Sequence, residues 1–109
     1  MEIQEAVEFM KEEVKTLPLE ELKERERALA SEADEALTNH NSFADFQRKE
    51  WLRVLEARSQ SQEFLARGLE KTYHEWGQIV KKYEEEYLYF MSIRAPILQR
   101  IDDIVEGYE

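Results

Sequence analysis

LEKTYHEWGQIVKKYEEEYLYFMSIRAPI, residues 69–97, decides how this chain folds. Leu69, Tyr73, Trp76, Val80, Tyr83, Tyr87 and Phe90 recur at alternating spacings of four and three. That rhythm puts all of them on one stripe of an α-helix. It continues through Arg94, Ile97, Ile101, Ile104 and Tyr108, a heptad seam of about five repeats. Arg94 is the only charged member, and an arginine on an apolar seam predicts a carboxylate partner or a register-fixing role. Leu65, Ile79, Ile93 and Leu98 widen the stripe, as in a helix packed by more than one neighbour. YLYFMSI, residues 87–93, also has strand propensity, but a lone strand finds no partner within the chain. Pro96 brings no N–H and crowds the preceding turn. A kink there, or a helix end near Ile93, is therefore expected, with a short last helix terminated by Gly107.

The segments upstream are weaker versions of the same pattern. Ile3, Val7, Met10, Val14 and Leu17 predict a helix from Glu2 to about Thr16, stopped by Pro18. Pro18 then opens a second helix, where Glu20 and Glu21 suit the positive end of the helix dipole. Its seam is Leu19, Leu22, Leu29, Ala33 and Ala36, broken by Glu26, and its alanines allow a neighbour to come close. TNHNS, residues 38–42, reads as a polar loop, and Ser42 with Asp45 as a capping box that starts the third helix. ARSQSQE, residues 57–63, holds no large apolar residue and is the place where that third helix is open to interruption.

The expected fold is all-α and a single domain: an acidic helical hairpin over residues 1–40, then one long amphipathic helix over 42–109 kinked at Pro96. At 1.5 Å per residue the stretch 42–95 spans roughly 80 Å, against roughly 20 and 30 Å for the first two helices. Two short helices leave much of that apolar seam uncovered. Either the long segment folds back near residues 57–63 or a second chain covers the remainder, and a dimeric bundle is the favoured solution. The residues expected to carry self-association are Leu69, Tyr73, Trp76, Val80, Tyr83, Tyr87, Phe90 and Ile97. The neighbouring glutamates 84–86 would limit off-register stacking.

Composition sets the class. Of 109 residues, 42% are hydrophobic and 37% charged, with three glycines and two prolines, the make-up of long helices rather than of a disordered chain. There is no cysteine, which removes disulfides and thiolate metal sites and fits a reducing cytoplasmic setting. No run of about 18 apolar residues exists to span a membrane, and the acidic N-terminus is unlike a secretory signal.

Nothing in the sequence builds an enzyme. His40 and His74 stand apart, and Glu70–His74 has a spacing of four rather than the three of a bundle metal site. Its simplest reading is an exposed ion pair. Adjacent glutamates point in different directions along a helix, so they are solvated faces rather than acid/base pairs. No phosphate loop or nucleophile elbow occurs. No metal, cofactor or catalytic residue is therefore expected.

The net charge of −10 is arranged in blocks: −7 over residues 1–37, +2 over 38–82 and −5 over 83–109. Arg48, Lys49, Arg53, Arg58, Arg67, Lys71, Lys81 and Lys82 lie near Trp51, Tyr73 and Trp76, the ingredients of single-strand binding. That makes a nucleic-acid accessory protein the alternative function, but the overall acidity opposes it. A structural or scaffold role in an assembly is a further alternative. The leading expectation is a non-enzymatic adaptor or inhibitor, a homodimer whose acidic face meets a protein with a basic surface. That face comprises Glu5, Glu12, Glu13, Glu20, Glu21 and Glu24. In composition the chain resembles small acidic helical inhibitors, including those phages use against host defences, which implies a blocked basic or nucleic-acid-binding surface.

Overall fold

The structure, a computed structural model, describes residues 2–107. Among them there is no strand, and the chain is all-α: α1 (Ile3–Glu13), a 3-10 turn (Val14–Thr16), α2 (Leu19–Ser59) and α3 (Glu63–Glu106). Tyr108, the last expected seam residue, lies outside the described residues.

The first break falls where the proline places it. Leu17 is extended at φ −90° and ψ 138°, as a residue before proline must be. The Pro18 carbonyl then accepts the Leu22 N–H at 3.0 Å and opens α2. The loop expected at residues 38–42 is not there, and those residues lie inside α2. Asparagine and serine each cost no more than about 0.7 kcal/mol in a helix interior, and the helix is held on either side by buried Ala36 and ring-stacked Phe43. Ser42 is consequently no cap, and Asp45 turns instead to Arg48 and Lys49.

The second break falls within the polar stretch 57–63. The Gln62 N–H reaches the Ala57 carbonyl at 2.9 Å and the Ser61 N–H reaches Arg58 at 3.1 Å. Ser61 adopts a φ of 60°. This is a Schellman closure with serine in the left-handed position usually held by glycine. The single helix expected over 42–109 is thus two pieces, and the chain turns back on itself at this stretch. Nor does a separate C-terminal helix follow Pro96: α3 runs through the proline to Glu106, where Gly107 at φ 81° ends it.

Two compact units result, Met1–Glu35 with Glu86–Glu109 (unit 1) and Ala36–Glu85 (unit 2). In unit 1, Val14, Leu22 and Ile97 form a buried cluster, with Met10, Leu17, Leu29, Ile101 and Ile104 packed against it. Leu22 and Ile97 are fully buried, and each such side chain contributes about 1.5–3 kcal/mol. In unit 2, Val54, Ala57 and Ala66 are buried close to the turn, with Trp51 and Leu69 against them. Alanines on both sides let the two helices approach there.

Candidate interaction surfaces

Unit 1 holds the acid. Residues 1–35 and 86–109 carry 17 acidic and 7 basic side chains, and residues 36–85 carry 8 of each. The entire −10 therefore resides in unit 1, and unit 2 is neutral. Within unit 1 several of the expected partner-binding glutamates already have cations. Glu13 accepts from Arg25 at 2.7 Å and Glu21 from the same guanidinium at 3.3 Å. These two carboxylates, Glu13 first, hold the Arg25 pKa above its usual value. Glu12 pairs with Lys15 at 3.1 Å and Glu20 with Lys23 at 3.8 Å, both as exposed neighbours on one helix. Such pairs are worth well under 1 kcal/mol and open readily to a competing cation. Among the described residues Glu5 and Glu24 form no ion pair and stand exposed.

A more deeply buried ion pair of unit 1 joins the two charges that interrupt the apolar seams. Arg94 donates to Glu26 through Nε at 2.8 Å and also through Nη2, and the side chains are only 24% and 18% exposed. Arg94 thus has the carboxylate partner its position predicts, and that partner is the glutamate that breaks the α2 seam. Elsewhere in unit 1, α1 and α3 flank an open groove of about 610 Å³. Val7, Val14, Ala95 and Pro96 supply its apolar lining and Glu8, Lys11, Glu12, Lys15 and Arg100 its charged rim.

Unit 2 holds the rings. Phe43 stacks on Trp76 and on Tyr83, each at 5.5 Å between centroids. Phe46 lies 5.5 Å from Trp76 and 6.1 Å from Phe43. Trp51 meets Tyr73 at 5.2 Å. Lys49 and Lys82 approach the Phe46 and Tyr83 rings at 6.0 and 5.9 Å. Of the residues expected to self-associate, Leu69, Tyr73, Trp76, Val80 and Tyr83 are half-buried in unit 2. Tyr87 and Phe90 are half-buried in unit 1, whereas Ile97 is wholly inside its core. Phe43 and Phe46 were missed as partners of this set. Their spacings of eight and five to Trp51 fall outside the 4–3 rhythm, and only the fold brings them to Trp76.

The basic segment of unit 2 is mostly answered by nearby acids. Arg48 and Lys49 pair with Asp45, Arg53 with Glu50, and Arg67 with Glu63. Arg58 bonds Glu70 at 2.6 Å and lies 3.5 Å from Glu63. Glu70, with Glu63 adding to it, raises the Arg58 pKa, and Lys49, assisted by Arg48, lowers that of Asp45. Glu70 is thereby taken by Arg58 across the turn rather than by His74, which instead sets its ring against Tyr73 at 5.3 Å. Among the described residues no three His, Asp or Glu side chains gather where they could hold a metal ion. No helix among them is long and apolar enough to cross a membrane. Compared with protein-family models, with curated proteins and with solved structures, the chain matches none of them.

Proposed function

We propose that this chain is a non-enzymatic interaction protein, a homodimeric adaptor or inhibitor that docks its acidic unit on the basic surface of a protein partner. The observation that carries this reading is the confinement of the whole −10 to unit 1. Charge spread for solubility alone has no reason to leave one unit neutral. Glu5, Glu8 and Glu12 follow one another at about one per turn of α1, and Glu20 and Glu24 have the same spacing at the start of α2. A row of carboxylates about 5.4 Å apart presents a phosphate-like line of charge to a cationic groove. The exposed lysines that now accompany Glu12 and Glu20 are weak competitors for such a partner.

The test compares the wild-type chain with E5Q/E12Q/E20Q/E24Q as bait in a lysate of the native host. Proteins held by the first and lost by the second are identified by mass spectrometry and their binding remeasured with pure components. A basic partner whose affinity falls at least tenfold in the variant, and falls again with salt, supports the reading. Equal retention by both baits overturns it. So does tight, salt-sensitive retardation of single- or double-stranded nucleic acid by the chain itself, which would hand the function to the segment 48–82.

A further inference from the structure

We propose that the aromatic face of unit 2 is the surface on which two copies of this chain meet, each supplying Phe43 and Phe46 from α2 and Leu65, Trp76, Ile79 and Tyr83 from α3. The rings form one continuous cluster, with four centroid separations between 5.5 and 6.1 Å. Yet no residue of 37–53 or 67–85 is buried, and Phe46 and Leu65 are 47% and 50% exposed. A pair of antiparallel helices can cover each ring on one side only. A helical layer with an apolar face is stable when a second layer lies on it.

A second copy is the occupant that the charges select. Unit 2 has eight cations and eight anions, so its like units do not repel. A strongly charged partner finds no net charge on this face to recognise. Two identical two-helix layers related by a two-fold axis along the helices give a four-helix arrangement in which α2 of each copy lies against α3 of the other. The rim is then self-complementary. The contacts Phe46–Trp76 and Trp51–Tyr73 set the level of one helix against the other and place Lys49 level with Glu75. Lys49 sits beside Phe46, and Glu75 stands one turn from Ile79. The two-fold therefore brings Lys49 of one copy beside Glu75 of the next, in exchange for its exposed bond to Asp45 at 3.0 Å.

This rests on the homodimer part of the reading above and names its surface. It is tested by sedimentation equilibrium of the full chain over a wide concentration range, with far-UV circular dichroism to verify that every variant stays helical. Wild type is expected to dimerise, F46E to dissociate at least tenfold more readily, and K49E to weaken the dimer with recovery in K49E/E75K. F64E, at a side chain 94% exposed beside the turn and away from the rings, is expected to leave the dimer unchanged. A dimer indifferent to F46E, or broken by F64E instead, overturns the surface and leaves the homodimer standing. A wild-type chain that is monomeric at all concentrations overturns both. Dissociation of the wild-type dimer by a short single-stranded oligonucleotide at low salt would give the face to stacked bases, and the proposal would fall.

Discussion

At the scale of single residues, the pair Arg94–Glu26 is the most consequential contact of unit 1. Its members are 24% and 18% exposed, so water screens them only in part. Removing one partner leaves a half-buried charge without its counter-ion, whereas replacing both with apolar groups restores packing. Glu26→Ala is therefore expected to cost about 1–2 kcal/mol in denaturant melts, and Glu26→Leu with Arg94→Met to cost less than that single change. A second residue prediction concerns pH. The Asp45 carboxylate is held below the usual aspartate range by Lys49 and Arg48. A group whose folded pKa is depressed lends stability above its unfolded value and loses it as pH falls through the folded one. The carboxyl-carbon NMR titration of Asp45 should thus have a midpoint below that of a free aspartate, and Lys49→Met should move it upward. Arg94 also shows how far a residue can be read in advance. Its seam position announces a carboxylate partner, and Glu26 announces itself by interrupting the α2 seam. Only the turn at 60–62 reveals that each is the answer to the other.

At the scale of elements, neither proline nor polarity alone decides where a helix ends. Pro18 and the polar stretch 57–63 end helices, while the equally polar TNHNS does not. The difference is tertiary: residues 36 and 43, flanking TNHNS, are buried or ring-stacked and hold the helix through it. No large apolar side chain anchors 57–63, so the left-handed closure at Ser61 goes unopposed. Serine bears a side-chain penalty at φ 60° that glycine does not. Ser61→Gly is accordingly expected to raise stability by about 0.5–1 kcal/mol, read as a shift in urea midpoint at unchanged slope. Pro96 shows the opposite failure of local reading. A proline inside a helix costs about 3 kcal/mol in isolation, yet α3 continues past it because Ile97, Ile101 and Ile104 pack on the core of unit 1.

At the scale of the whole molecule, the all-α class was legible from periodicity and composition, and so was the acidity. The partition of charge was not, because the block boundaries at residues 37 and 82 are not the boundaries of the compact units. Residues 86–109 join 1–35 only through the fold, and together they gather the full −10. With 17 acidic against 7 basic groups, unit 1 repels itself at neutral pH. Added sodium chloride should raise the melting temperature, because screening relieves that repulsion while exposed pairs such as Lys15–Glu12 lose little. A fall in melting temperature between low and moderate salt would show instead that the ion pairs dominate.

The bond between Arg94 and Glu26 closes a loop of 68 positions. Chain closure over that distance is entropically slow to arrive, so the contact belongs on the native side of the folding barrier. Its loss should leave refolding rates almost untouched and appear in the unfolding limb of a chevron plot, as a shorter lifetime of the folded state.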